Sequence, residues 1–236
     1  MKHPLFTETY LRENIMGPNP IRILEEMLSL FSIPEKSVIL DLGCGRGLTS
    51  MYLAKETKST VFATDLWIPA GENLARFSEM GFTQTEIVPI HAEAHELPYA
   101  EGFFDAVVSI DSFHYFGYNP DYLRDSLLPF VRKGGLILLA VPGLKRDFDG
   151  QIPPEMLHSW TPEDLDTMHD CAHWRDMLSH APQAEILTIT ELCCFEQAWA
   201  EWLACDQNPH AVGDRASMNA GAGNYMNLIG IVLQKR

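Results

Sequence analysis

Basic side chains are scarce in this chain. Its 236 residues include 17 Lys and Arg against 32 Asp and Glu, which gives a formal net charge of -15. A surface that follows a nucleic-acid backbone needs clustered Lys and Arg, whereas the basic residues here are scattered along the sequence. We therefore predict that the protein binds no nucleic acid. Its acidic field favours a neutral or cationic small molecule instead.

Long apolar runs and a cysteine framework are also missing. The longest purely apolar stretch, residues 136–141, is far shorter than the roughly 20 residues of a membrane-spanning helix. The first ten residues, MKHPLFTETY, contain no apolar segment of signal-peptide length. The five cysteines show no disulfide spacing, which favours reduced thiols. We predict a cytoplasmic protein without a membrane span, and leave open whether it forms a homodimer.

Strand and helix patterns alternate through the first two thirds of the chain. Short apolar runs at 37–42, 59–65, 86–91, 104–111 and 136–141 are separated by segments with helical spacing. This pattern predicts an α/β fold with a doubly wound, mostly parallel sheet and helices on both faces. Regularity ends at a Pro-Gly pair, and two later runs, 185–192 and 225–234, complete seven strands with an antiparallel C-terminal edge strand and a helical cap.

The ten residues 38–47, VILDLGCGRG, are the most informative segment. A buried strand enters a glycine-rich turn, and a helix follows from Leu48. Glycines adopt backbone angles closed to other residues, so such a turn can present N–H groups to a ligand at the helix N-terminus. The dinucleotide fingerprint G-x-G-x-x-G needs a third glycine where Leu48 stands. The turn alone is compatible with a purely structural role or with a nicotinamide site.

Acidic residues lie at or just after the ends of the three predicted strands that follow this turn. Asp65 lies 20 residues beyond Gly45, a separation at which a carboxylate can accept hydrogen bonds from ribose hydroxyls. Glu93 follows the third strand and Asp111 ends the fourth. In a doubly wound sheet the ligand binds beyond the C-terminal strand ends, so we expect these carboxylates to share one site. Trp67 is placed to cover an adenine ring, or else packs in the core.

The ordered pattern resembles class I S-adenosylmethionine-dependent methyltransferases, in their small-molecule and cyclopropane-synthase-like branch. The resemblance covers residues 38–141, from D-L-G-C-G-R-G to the K-G-G turn at 133–135, where Lys replaces a proline usual in that family. It implies S-adenosylmethionine as cofactor and S-adenosylhomocysteine as product. The cofactor-binding residues that it implies are Asp41, Gly43, Cys44, Gly45, Asp65, Leu66, Trp67, Ala92, Glu93, Ala94 and Asp111.

The pattern of elements along the sequence also suggests a division of the chain. We expect residues 1–36 to form an N-terminal helical lid and 37–143 to form the Rossmann-like core that binds the cofactor. Residues 144–183 are expected to be a substrate-cap insertion, called the cap below, and 184–236 to hold the C-terminal strands with an inserted helix. We expect all four segments to belong to one domain. The loop at 16–19 is positioned to fold over the cofactor.

Methyl transfer is an in-line displacement at a sulfonium, so a general base matters only when the acceptor arrives protonated. His114 is the best candidate base, because an imidazole titrates near neutral pH. Asp111 or Tyr115 is expected to orient that base or the substrate. The alternative for His114 is a position behind the cofactor. Asp41 is expected to orient the glycine turn or the cofactor's ammonium group.

Aromatic residues in the irregular segments suggest a pocket for an apolar or cationic acceptor. The candidate substrate-binding residues are Tyr10, Phe113, Tyr115, Trp160, His173, Trp174 and Trp199. His169 and His173 are four apart on a possible helix, a spacing that can bind zinc. No H-E-x-x-H or C-x-x-C pattern accompanies them, so the sequence predicts no metal.

The sequence thus predicts an enzyme that transfers a methyl group from S-adenosylmethionine to a small molecule. Two alternatives stay open. One is a module that binds S-adenosylmethionine without catalysis, and the other is an NAD-dependent oxidoreductase. Nitrogen, oxygen, sulfur and carbon acceptors all use this core, so the acceptor atom is not specified.

Overall fold

The computed structural model describes residues 4–148 and 150–236. Within them seven strands form a single sheet. The strands are β1 Val38–Leu42, β2 Thr60–Asp65, β3 Ile87–His91, β4 Phe104–Ile110, β5 Val131–Leu144, β6 Ala184–Glu191 and β7 Met226–Lys235. Their order across the sheet is β3-β2-β1-β4-β5-β7-β6.

Helices connect and cover these strands. The α-helices are α1 Glu8–Asn14, α2 Pro20–Leu30, α3 Leu48–Thr57, α4 Ala70–Glu79, α5 Pro162–Leu165, α6 Cys171–Leu178, α7 Phe195–Leu203 and α8 Pro209–Ala220. Short 3₁₀ or π turns occupy Phe113–Tyr115, Leu123–Leu127, Leu128–Phe130, Pro154–His158 and Ala222–Asn224. Across the two described ranges, no helix has the length and apolar character that a membrane crossing requires.

The predicted doubly wound α/β fold is confirmed. Strands β1 to β5 pair in parallel, and β7 runs antiparallel to both β5 and β6. The antiparallel C-terminal strand lies one position inside the edge, which β6 forms. Because β1 is flanked by β2 and β4, the chain reverses its direction of travel at β1. A ligand crevice is expected at this reversal, beyond the C-terminal strand ends.

Side chains alternate between the two faces of the sheet and build two apolar clusters. Ile39, Val108 and Leu138 belong to the cluster that also contains residues of α2, α3 and α7. Their neighbours Leu40 and Val107 belong to the cluster on the opposite face. This two-residue period follows from the strand pleat. Burial on both faces explains why the strands are apolar throughout.

Strand β5 is longer than predicted. The sequence suggested a turn at Lys133-Gly134-Gly135 and a stop at Pro142-Gly143, but the strand runs from Val131 to Leu144 through both. Gly134 has a positive φ of 77°, and the register with β4 shifts nearby, so the glycines form an irregularity within the strand. Beyond Ala140, β5 pairs with β7 alone, so Pro142 removes no donor that β4 needs.

Two helix predictions also differ from the structure. Apolar residues at helical spacing over 121–131 predict a helix, but the structure has a π turn followed by a 3₁₀ turn, because Pro129 lacks an N–H and restricts the residue before it. Conversely, the polar, glycine-bearing segment before β7 predicts a loop, but it contains α8. Asn208 caps that helix by accepting from the His210 N–H at 3.0 Å, and Gly221 ends it with a φ of 109°.

The loop between α1 and α2 is held against a helix from the far end of the chain. The Asn19 N–H donates to the Ala198 carbonyl at 3.0 Å. Asn19 Nδ2 also donates to Glu201 Oε2 at 2.6 Å, and its side-chain oxygen caps α2. Arg22 pairs with Glu201 at 3.1 Å. These contacts fix the 14–20 loop relative to α7.

Candidate active site

A cavity of about 450 Å³ lies at the C-terminal ends of β1, β2, β3 and β4. Its size is within the range of roughly 300–1,000 Å³ typical of small-molecule sites. Three parts of the molecule enclose it: the glycine turn, the strand ends with their following loops, and the 14–20 loop. The cavity therefore occupies the crevice expected from the topology.

Three left-handed glycines shape the turn between β1 and α3. Gly43, Gly45 and Gly47 have φ values of 74°, 54° and 77°, which other residues rarely adopt. A Cβ on Gly47 would lie 2.2 Å from Phe77, so this position also needs the small side chain for packing. The Gly45 N–H donates to Asp65 Oδ2 at 2.7 Å, which ties the turn to the end of β2.

Asp41 lies near the end of β1, before this turn, and contacts the helix that follows it. Its side chain is 1% exposed, and it is not among the residues that line the cavity. Oδ2 accepts hydrogen bonds from Thr49 Oγ1 at 2.7 Å and Ser50 Oγ at 2.5 Å, both in the first turn of α3. Burial raises the pKa of Asp41 to about 6. Its contacts fit the predicted role in orienting the turn, whereas a role at a ligand ammonium is not supported by its position.

Asp65 lies at the end of β2, as predicted, and faces the cavity. Oδ1 accepts from the Trp67 and Ile68 N–H groups at 2.7 and 2.8 Å. With the bond from Gly45, three of a carboxylate's roughly four acceptor positions are used. The fourth is available to a ligand hydroxyl, and the backbone bonds hold it in place.

Glu93 lies on the rim of the same cavity, between Ala92 and Ala94. Its carboxylate accepts from the His95 N–H at 2.7 Å and from His95 Nδ1 at 2.8 Å. Burial raises the pKa of Glu93, but the hydrogen bonds from His95 outweigh that effect and hold it below its usual value. Glu93 is therefore an ionised hydrogen-bond acceptor at neutral pH.

Asp111 directly follows β4, in a left-handed conformation with φ 55°. A Cβ on Gly17 would lie 2.1 Å from Asp111 Oδ2, so the 14–20 loop rests directly on this carboxylate. Burial, with a smaller contribution from the Asp214 carboxylate, raises the pKa of Asp111 to about 7. A carboxyl group with this pKa can both accept and release a proton near neutral pH.

His114 follows in a 3₁₀ turn, but it does not line the cavity. It is 3% exposed, and within the described ranges its Nδ1 has no hydrogen-bond partner. Burial lowers the pKa of His114 to about 3, so the imidazole is neutral. Its ring packs on Tyr115 with centroids 4.0 Å apart. The role of His114 as general base stays a prediction, and its position supports a packing role better.

Two exposed aromatic rings form the outer rim. Trp67 is 64% exposed and Tyr115 is 53% exposed, and their ring centroids are 5.2 Å apart. Both line the cavity together with Leu66, and the prediction that Trp67 adjoins the ligand is compatible with this position. Cys44, another residue of the predicted set, also lines it.

Most of the predicted substrate aromatics do not reach the cavity. Of the seven predicted residues, Tyr115 lines the cavity. The six that do not line it are Tyr10, Phe113, Trp160, His173, Trp174 and Trp199. Phe113 and Trp174 are almost fully buried, and their ring centroids are 6.0 Å apart. The cap's Trp160 donates its indole N–H to Asp214. Sequence spacing shows which aromatics share a helix face, but it does not show whether that face meets a core or a ligand.

Several lining residues were not singled out from the sequence as site residues. They are Asn14, Leu42, Arg46, Thr49, Thr64, His95 and Ile110. Ser112 and Phe116, in the loop after β4, also line the cavity, and the Ser112 hydroxyl donates to the Leu42 carbonyl at 2.9 Å and so joins the ends of β1 and β4. Most of these residues adjoin a predicted one in sequence, so neighbourhood is the only signal that would have found them.

Comparison with protein families gives a direct result for the core. Residues 40–139 match the family described as methyltransferase domain. This segment lies within the part of the chain whose sequence pattern resembles class I S-adenosylmethionine-dependent methyltransferases. The predicted resemblance to methyltransferases is therefore confirmed over residues 40–139. The oxidoreductase alternative loses its basis, because the turn on which it depended lies inside the matched region.

Two curated relatives share part of this core. The human protein "Arginine-hydroxylase NDUFAF5, mitochondrial" is 39% identical over 109 residues, which are 45% of this chain and 27% of that protein. The Arabidopsis thaliana tRNA (carboxymethyluridine(34)-5-O)-methyltransferase is 31% identical over 135 residues, 56% of this chain and 30% of that protein. The matched regions thus span less than a third of either relative.

Solved structures share the fold over most of the chain. The Haemonchus contortus phosphoethanolamine N-methyltransferase 2 with S-adenosyl-L-methionine has a TM-score of 0.74 at 15% identity, covering 99% of this chain and 58% of that one. The Streptomyces coelicolor geranyl diphosphate C-methyltransferase gives 0.72 at 14%, covering 92% and 78%. The [4+2]-cyclase SpnF gives 0.69 at 18%, covering 91% and 80%. At these identities the likeness establishes the fold alone.

Proposed function

We propose that the protein transfers the methyl group of S-adenosylmethionine to a small-molecule acceptor and releases S-adenosylhomocysteine. The observation that carries the proposal is the composition of one cavity. The glycine turn, Asp65, Glu93 and Asp111 all line it, at the ends of four neighbouring parallel strands. Each group matches a different part of the cofactor, and the core matches a methyltransferase domain.

The polar groups of the cavity fit a nucleoside with a charged sulfur. Asp65 offers a fixed acceptor for a ribose hydroxyl, and ionised Glu93 suits an exocyclic amino group. Leu66 and Trp67 supply apolar surface between these two carboxylates. The cofactor supplies an electrophilic methyl group on a sulfonium, so the protein's contribution is binding, orientation and exclusion of water.

Asp111 is the group best placed to take a proton from the acceptor. With the cofactor bound, its sulfonium would supply the methyl group to the acceptor atom and would keep the electron pair of the broken carbon–sulfur bond. The Asp111 carboxylate would accept the proton that the acceptor loses. A pKa of about 7 suits this role, whereas a pKa of about 3 makes His114 a weak base. Asp111 and the aromatic rim favour an apolar or cationic acceptor.

Calorimetry with S-adenosylhomocysteine tests the binding step. We expect a dissociation constant on the order of micromolar, about −8 kcal/mol. Asp65→Asn should weaken binding, while Asp121→Asn, which changes an exposed carboxylate on the surface, should leave it unchanged. No detectable binding at millimolar concentration would sink the proposal.

Transfer of a labelled methyl group to a panel of amines and apolar hydroxyl compounds tests the chemical step. Asp111→Asn should lower turnover much more than it weakens binding of S-adenosylhomocysteine. Equal losses in both would place Asp111 in the cofactor site rather than beside the acceptor.

A second candidate function is binding of S-adenosylmethionine without methyl transfer. The packing of these aromatic residues supports it, because Trp174 and Trp199 are buried, Trp160 donates to Asp214, and none of the three lines the cavity. Tight cofactor binding with no labelled product from any acceptor, protein and RNA included, would favour this alternative.

A further inference from the structure

Three metal-ligating side chains of the cap meet outside the cavity. Asp147 follows β5, His169 precedes α6, and His173 lies in the first turn of α6. One ligand atom from each lies within 4.8 Å of the other two. The sequence suggested two histidines on one helix face, but His169 lies outside the helix and bridges to Gly143 on β5. The third ligand comes from a segment 22 residues earlier than His169.

The separations fit a shared ion better than direct hydrogen bonds. Asp147 Oδ2 lies 3.8 Å from His169 Nδ1 and 4.0 Å from His173 Nδ1. Hydrogen bonds between such atoms are about 2.7–3.2 Å long. Nitrogen and oxygen atoms bonded to zinc at about 2.0–2.2 Å and at tetrahedral angles are roughly 3.4 Å apart. Movements of about half an ångström would bring Asp147 Oδ2 to such a distance from each of the two nitrogens.

The two imidazole rings lie side by side next to one carboxylate oxygen, Asp147 Oδ2. They stack with centroids 3.5 Å apart and an angle of 7° between planes. The lone pair of each Nδ1 lies in the plane of its ring, so one ring has to turn about its Cβ–Cγ bond before both nitrogens can bind the same ion.

Surrounding hydrogen bonds hold the ligands in place. The Asp170 N–H donates to Asp147 Oδ1 at 2.8 Å and so orients the carboxylate. Asp170 Oδ1 in turn accepts from the His173 N–H at 2.9 Å. The His169 carbonyl accepts from the Leu144 N–H at 3.0 Å. Such outer contacts are typical of built metal sites, where they fix the orientation of the ligands.

We propose that Asp147, His169 and His173 bind one Zn²⁺ ion. Two nitrogens and one oxygen suit zinc, and the partly exposed His173 and Asp147 leave a side open for water as a fourth ligand. The ion joins the two ends of the 148–168 segment, which carries Trp160 and α5. Its role is to stabilise the cap, so it acts independently of the proposed methyl transfer and reverses the sequence-based expectation of no metal.

Titration of the chelator-treated protein with Zn²⁺ tests the proposal. We expect one equivalent to bind, and Co²⁺ to give the absorption bands of a four-coordinate site. Asp147→Asn and His173→Ala should each weaken binding by roughly tenfold or more, since even outer-shell changes cost about 10–100-fold. His158 is an exposed histidine of the cap that lies outside the cluster. His158→Ala is therefore the matched control and should bind Zn²⁺ with the affinity of the parent protein.

A thermal measurement separates a built site from weak surface binding. Zn²⁺ at about 100 times its dissociation constant should raise the unfolding temperature by roughly 5–10 °C in the parent and in His158→Ala, but not in the two site variants. The site variants lie on different segments, so the test survives if one of them fails to fold. Binding of S-adenosylhomocysteine should be retained in both. Absence of saturable Zn²⁺ binding, or binding unchanged in both variants, would overturn the proposal.

Discussion

The buried carboxyl of Asp41 makes the stability of this fold depend on pH in a direction that can be measured. Its two hydroxyl donors, on Thr49 and Ser50, do not compensate fully for its removal from water, and its pKa rises from 3.8 to about 6. The folded protein therefore binds a proton between these pH values that the unfolded chain does not bind. Stability contributed by this group is fully present below about pH 4 and is lost as pH rises through about 6.

The size of the effect follows from the same two values. Each pKa step corresponds to about 1.36 kcal/mol, so the interval from 3.8 to about 6 corresponds to about 3 kcal/mol of unfolding free energy. Asp41→Asn removes the charge and keeps an oxygen that can accept from both hydroxyls. We expect its stability relative to the parent to rise by up to about 3 kcal/mol between pH 4 and pH 7, and then to level off.

Urea unfolding followed by fluorescence of the five tryptophans measures this difference. Parent and variant are compared at each pH, so contributions from all other groups cancel. Asp121→Asn, at an exposed position, is the control and should run parallel to the parent across the range. If Asp41→Asn also runs parallel to the parent, the carboxyl is not desolvated as described and the reasoning is refuted.

The remaining predictions concern the cavity and one helix. Glu93→Gln should weaken binding of S-adenosylhomocysteine about tenfold or more by calorimetry, because a charged acceptor is lost, whereas Glu96→Gln should not. Gly17→Ala should lower turnover, because its Cβ would lie 2.1 Å from Asp111 Oδ2; unchanged turnover would show that the loop moves freely. The kcat/KM profile should fall below about pH 7 and lose this limb in Asp111→Asn, whereas His114→Asn should retain it. Gly213→Ala, in α8 with nothing within 4 Å of the new Cβ, should stabilise the protein by about 1 kcal/mol in urea unfolding.

The sequence was sufficient to predict the sheet and one wall of the cavity. Strand ends with Asp65 and Asp111 could be placed because apolar periodicity and the glycine turn are local signals, and parallel topology then brings those ends together. Helix α8 was missed even though Asn208, Pro209 and Gly221 are ordinary start and stop signals. The helix contains few apolar residues, so apolar periodicity does not indicate it, whereas its capping residues do.

The failures in the cap have a different cause. Trp174 and His173 are neighbours on α6, yet one packs in the core and the other meets Asp147. Which of the two would face a ligand depends on how the helix is rotated against β5, and this rotation depends on contacts distant in sequence. No local pattern encodes it. The same holds for His114, whose burial follows from the packing of its whole turn.

The hydrogen bonds of Asn19 have a consequence for the order in which the protein acquires its site during synthesis. The 14–20 loop is synthesised before the sheet, but the Ala198 carbonyl and Glu201 that hold it are made only after β1 to β5. A nascent chain that already contains β1 to β5 thus has the glycine turn and its carboxylates without a fixed cover. Cofactor retention should therefore be a late event, coupled to the docking of α7 rather than to completion of the parallel sheet.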